Sequence, residues 1–314
     1  MGGGHKAIHD DDTAAKVGFG KAPIHGTVHW SQFAPLFLKA FGHAWFESGS
    51  VSVHFITPVS HLVPVRAFLA KPMKPPGEPQ VLEMWMELTD GKVVLQGTAS
   101  VGLKKNQMTT TCQKNMGSVK PTAGALLFTR MPIGTKSLNV EKDVRIDHTS
   151  IIGPLFPFSL QQKLEIITEF HPWYTKEGGV GSPWGRAVLP PECLNAIMLG
   201  GIPAMQFPVW PAPPPGDKWL LDAMGDRTPV GLFGGCEVMI HNGPVFVDQS
   251  YEVTRELIGV GETPKTEFTW VRTELRETGT GRLVAEMTLQ TMMLKNSIAD
   301  YAVLRKQSDA RSKL

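Results

Sequence analysis

At 314 residues, with 42% apolar and 19% charged side chains, the chain has the balance of a folded globular protein and room for two ordinary domains or one large one. Its formal charge of +2 includes no long basic run, which leaves little electrostatic support for nucleic-acid binding, and none is expected. No apolar stretch nears the ~20 residues that cross a bilayer, and the opening MGGGHKAIHDDD is unlike a secretory signal, so no membrane partner is expected.

Three cysteines, Cys112, Cys193 and Cys236, lie far apart without CxxC spacing, which suits reduced thiols and predicts a cytoplasmic protein. Cys193 is a candidate nucleophile or, more simply, a small buried residue on a helix. His29, His43, His54 and His61 have no consistent ligand spacing, so no metal is expected.

In chain order, residues 27–41 carry Trp30, Phe33, Phe37 and Phe41 at near-helical spacing, with Pro35 predicted to kink the helix. Strand-like segments follow at 48–59, 63–71, 81–88 and 93–103, the last two joined by an Asp90-Gly91 turn. Residues 104–135 read as a linker or crossover. A helix is predicted over 159–170 with Ser159 as its cap, and another over 191–199 beginning at a Pro190-Pro191 pair. Between 201 and 217 lies a proline-rich loop or lid. Strands resume at 236–245, 248–257, 265–275 and 282–294, and the polar tail 296–314 reads as a short helix.

The order helix, then several antiparallel strands, occurs twice. Pro58-Val59 and Pro244-Val245 match at an offset of 186, Trp85 and Trp270 at 185, and Gly91 falls opposite Gly281. Upstream, His9 falls opposite Tyr174 and His25-Gly26 opposite Pro190-Pro191, all at an offset of 165. The drop in offset is the extra proline-rich loop of the second copy. The chain therefore reads as a duplicated α+β unit, with a first repeat over 1–115, a crossover at 116–135 and a second repeat over 136–314.

Two stretches carry a family resemblance. The second repeat contains Thr168-Glu169-Phe170-His171-Pro172-Trp173-Tyr174, and the first contains Gly3-Gly4-His5-Lys6-Ala7-Ile8-His9 followed by Ile24-His25-Gly26. Both resemble the MaoC-like hydratase/dehydratase motif, Gly-Asp-x-Asn-Pro-Leu-His followed by an Ile-x-His-Gly that opens a long helix. The resemblance implies a double hotdog fold. It also implies an acyl-thioester lyase, adding water to a 2-enoyl thioester or removing it from a 3-hydroxyacyl thioester. No cofactor is implied beyond CoA as part of the substrate.

That chemistry needs proton-transferring groups and a donor for the thioester oxygen, which a helix start provides through its free N–H groups. Pro191 has no N–H, so the first repeat, with His9 and Gly26, holds the better half of a site. Gly4 stands where the motif has its aspartate. Asp12, with Asp10 and Asp11, or Glu169 from the other repeat, would substitute, although three aspartates also suit a helix cap and first turn. The candidate catalytic residues are His9, Asp12, Glu169 and His171. The candidate substrate-binding residues are His25, Gly26, Trp173 and Tyr174. The alternatives left open are a hotdog thioesterase and a non-catalytic acyl-thioester-binding subunit, and free edge strands would allow a homo-oligomer.

Overall fold

The computed structural model describes residues 11–118, 126–128, 132–153, 156–199, 219 and 229–311. His9 and the proline-rich stretch 201–217 lie outside the described residues.

Two helices open the first repeat after a short α1 (Asp11–Lys16): α2 (Gly26–Ser31) and α3 (Ala34–Phe41). The predicted continuous helix is broken at Gln32-Phe33. Pro35 sits in the first turn of α3, where its missing N–H has no partner to lose. Gly42, at φ 67°, ends α3, and a further turn, α4 (Ala44–Ser48), leads into the sheet. Four antiparallel strands follow: β1 (Gly49–Phe55), β2 (Val65–Leu69), β3 (Gln80–Leu88) and β4 (Val93–Val101).

The predicted crossover holds a helix, α5 (Thr111–Ser118), which packs on the face of the sheet away from the core helices. Cys112 N–H donates to Ser52 Oγ at 2.9 Å there. Next come β5 (Glu141–Val144), β6 (Ile151–Gly153), β7 (Phe156–Ser159), α6 (Leu160–Leu164), α7 (Lys176–Gly179) and α8 (Pro191–Leu199). Helix α6 is shorter than the sequence suggested. Ser159 and Gln162 form a capping box at its start, but the run Ile166-Ile167-Thr168 is β-branched and a poor continuation. The second set of strands is β8 (Gly231–Ile240), β9 (Tyr251–Glu262), β10 (Thr266–Glu277) and β11 (Leu283–Leu294), followed by the C-terminal helix α9 (Tyr301–Arg311).

The strands run β2-β3-β4-β1-β8-β11-β10-β9-β5 in one nine-stranded sheet. The first four and the next four are the same order reversed, so two equal sheets join through their first strands. At that junction Ser52 pairs with Glu237, 185 residues later. A residue facing its own counterpart lies on the local two-fold axis. The fold is a double hotdog.

The duplication extends to single hydrogen bonds. Pro23 bridges Ser60 as Val188 bridges Phe246. The Ile24 N–H donates to Val59 O at 2.8 Å, and the Leu189 N–H donates to Val245 O at 2.9 Å. These repeat the offsets of 165 and 186. Gly91 and Gly281 are equivalent turn residues at φ 86° and 67°. The tryptophan match is the exception. The bulge at Met86/Glu87 recurs at Leu275/Arg276, an offset of 189, which makes Glu274 the counterpart of Trp85.

One continuous core lies between the curved sheet and the helices. Phe33, Phe37, Phe41 and Trp45 are buried there with Val53, Met84, Met86 and Leu95 from the sheet. Phe37 stacks on Trp45 with ring centroids 4.9 Å apart. Each such side chain contributes about 1.5–3 kcal/mol by leaving water. Helices α2 and α8 pack against each other at the centre, and this contact sets the site.

Candidate functional site

The second-repeat motif is shaped by local caps. His171 caps a single helical turn over 172–174, its Nδ1 accepting the Trp173 N–H at 3.3 Å, and Thr175 Oγ1 accepts the Gly178 N–H at 3.0 Å to start α7. His171 is therefore a capping residue whose ring must carry an unprotonated Nδ1, and partial burial lowers its pKa. Trp173 belongs to an aromatic wall, with its ring centroid 6.2 Å from Phe46 of the first repeat and 5.5 Å from Trp184.

This turn directs Glu169 and Tyr174 inward. Glu169 is 6% exposed and Tyr174 fully buried. The Ser31 hydroxyl, on α2 of the first repeat, donates to Glu169 Oε1 at 2.9 Å and lies 2.8 Å from Val28 O, one proton serving both. Thr168 Oγ1 lies 3.3 Å from the other carboxylate oxygen. The Tyr174 hydroxyl has no hydrogen-bond partner among the described residues. Burial, and then the charge of Glu169, pushes its pKa up, so the phenol keeps its proton.

At the start of α8, Pro191 is followed by Glu192, whose carboxylate forms a buried ion pair with Lys163 of α6. Burial pushes the Glu192 pKa up, Lys163 opposes this, and Glu169 adds to it. At the other end of α8, the Arg255 guanidinium donates to Met198 O at 3.0 Å and Leu199 O at 2.8 Å, and pairs with Glu141. It thereby satisfies the last carbonyls of the helix.

The remaining sequence candidates are placed as follows. Asp12 lies exposed in the first turn of α1, and its neighbour Asp11 accepts the Ala22 N–H at 2.8 Å. Asp11 thus ties the start of α1 to the segment that leads into α2. His25 precedes α2 without a side-chain cap bond. A Cβ on Gly26 would stand 2.9 Å from the Phe55 ring, so the close neighbour that glycine admits is Phe55.

Cys193 is no nucleophile: burial and then Glu192 push its thiol pKa far up. Cys236 is raised likewise, and Cys112 reaches about 12. The outer side of the motif loop borders a solvent-open cleft of about 680 Å³, where Asp147, Glu165, Glu177, Asp248 and Lys176 stand beside Leu164 and Phe170. Among the described residues no helix is long and apolar enough to cross a membrane.

Ser31, Lys163, Glu192 and Arg255 were missed from sequence. Arg255 left a trace: it sits on the inward parity of β9, among Tyr251, Val253 and Leu257. Glu192 followed the Pro-Pro pair directly. Lys163 and Ser31 gave no signal, because each acts across a contact made by the fold.

No family model matches the chain, and no curated protein matches it. Several solved structures are similar in outline. A MaoC domain protein dehydratase from Chloroflexus aurantiacus aligns at 11% identity and TM-score 0.46, over 93% of this chain and 88% of that one. A Mycobacterium tuberculosis protein described as a double hotdog aligns at 11% and 0.45, over 92% and 88%. A thioesterase II structure from Thermobifida fusca aligns at 13% and 0.39, over 86% and 88%. The fold assignment rests on strand order and register, independently of these likenesses.

Proposed function

We propose that the chain is an acyl-thioester lyase that hydrates a 2-enoyl thioester or dehydrates a 3-hydroxyacyl thioester, with CoA as the carrier, and that its working site lies at Glu169 and Tyr174. The supporting observation is the pairing of a buried carboxylate, held by Ser31 of the other repeat, with a buried phenol that has no partner among the described residues. The two residues occupy the motif positions that the family resemblance assigns to proton transfer. Glu169 would take a proton from water as the oxygen adds to the β-carbon, and deliver it to the α-carbon. Tyr174, keeping its own proton, would donate a hydrogen bond that orients the water.

A second reading, hydrolysis of the thioester, has one feature in its favour: Glu192 places a carboxylate in the first turn of α8. Its ion pair with Lys163 argues against free use as a base. The test is incubation with crotonyl-CoA and with longer and branched 2-enoyl-CoAs, following enoyl absorbance and free thiol together. Enoyl loss without thiol is the expected result. Thiol release would replace the lyase by a thioesterase, and binding without either signal would leave a carrier of acyl thioesters.

A further inference from the structure

Any lyase reading of the second repeat meets one chemical obstacle. The thioester oxygen gains negative charge as the α-carbon is protonated or deprotonated, and α8 begins at Pro190-Pro191, neither of which has an N–H to offer. The equivalent start in the first repeat, Gly26-Thr27, has the N–H and no charged side chain. In the second repeat the N–H is gone, and at the position equivalent to Thr27 stands Glu192, which draws the ammonium of Lys163 to the first turn of the helix.

This ion pair is costly to keep. Both side chains are nearly enclosed, at 9% and 5% exposure, and a buried pair is commonly no more stabilising than apolar residues of the same size. An ammonium has three donors; Glu192 takes one and the Phe158 ring lies 5.4 Å from Nζ, which leaves one donor for a ligand oxygen. The Tyr174 hydroxyl, fully buried, without a hydrogen-bond partner among the described residues and within electrostatic reach of Glu169 and of Cys193 on α8, is a second sign that a polar ligand atom belongs near the start of this helix.

Building on the lyase reading, we propose that Lys163, positioned by Glu192, holds the thioester oxygen in the second repeat in place of the missing backbone N–H. The repeat exchanges a dipole for a full charge. No bond is made or broken by Lys163; it donates a hydrogen bond that strengthens as the oxygen becomes negative.

The test uses 2,4-hexadienoyl-CoA, whose absorption moves to the red when its carbonyl oxygen is polarised, together with steady-state hydration of the best enoyl-CoA. Three proteins are compared: the full chain, Lys163→Met/Glu192→Leu, and Lys163→Arg. The double change replaces the pair by apolar side chains of similar size, so it keeps the fold while removing the charge. The red shift is expected in the parent, lost in the double variant and partly kept with arginine. The hydration kcat is expected to fall about 10²–10³-fold in the double variant at little changed KM, the usual loss of one oxyanion donor. Hydration that persists at parental kcat in the double variant overturns the role of Lys163 and leaves the lyase reading standing. Failure of the parent to bind the dienoyl thioester at all overturns both.

Discussion

Helix α2 starts at Gly26-Thr27 and α8 at Pro191-Glu192, at positions related by the same 165-residue offset. The two starts share their backbone hydrogen bonds to the neighbouring segment and differ in their side chains. The first keeps a glycine under the Phe55 ring. The second is armoured with prolines, surrounded by Glu169, Glu192, Lys163 and Tyr174, and tied at its far end by Arg255. Duplication has kept the scaffold and let the two sites part. The repeat that sequence reading took as the weaker one buries Glu169, Lys163 and Glu192, while α2 of the first buries the neutral or weakly basic Thr27, His29 and Ser31.

The largest effect is expected from Glu169→Gln, which keeps the shape and the Ser31 contact but removes the proton acceptor. Turnover should fall about 10²–10⁴-fold with an unchanged melting temperature. Equal activity in this variant would move the chemistry to the first repeat.

Arg255→Met attacks the feature particular to α8, whose counterpart on β2 is Leu69, 186 residues earlier. Losing the ties to Met198, Leu199 and Glu141 should cost about 3 kcal/mol, read by urea denaturation. A loss under about 0.5 kcal/mol would show that α8 needs no such anchor.

The fold was largely legible in sequence, because periodicity, the Asp90-Gly91 turn and the repeated Pro-Val pairs are local signals. Register was less so. Trp85 and Trp270 both lie on the outer face and look alike, yet the bulges at Met86/Glu87 and Leu275/Arg276 show them to be four residues out of step. The motif singled out Glu169 and Tyr174 as candidates, and both are buried. It gave no sign of Ser31 and Lys163, whose contacts with Glu169 and Glu192 arise only where the two repeats and α6 meet in the fold.

His29 offers a smaller, pH-dependent contrast, since its counterpart 165 residues on is Leu194. Burial lowers its pKa to about 4, and its Nδ1 has no partner among the described residues. Between about 6.5 and about 4 the unfolded chain binds the proton and the folded one does not, so stability falls as the pH falls through that window. The loss approaches about 3 kcal/mol at its lower end. His29→Leu should flatten this slope in denaturation curves taken at pH 4 and pH 7, and an unaltered slope would place the titrating group elsewhere.

Gly26→Ala is the mildest. The added Cβ meets Phe55 at 2.9 Å and should cost about 1–3 kcal/mol, relieved when Phe55→Leu is added. No relief would mean that the backbone of the α2 start resists the change.

The claim that the second repeat is the working site is tested most directly by Tyr174→Phe, which removes one buried hydroxyl that no other described residue uses. Steady-state hydration of the preferred enoyl-CoA should show kcat reduced roughly 10²-fold, with KM and melting temperature held. A variant as fast as the parent would contradict the account and return the chemistry to the first repeat.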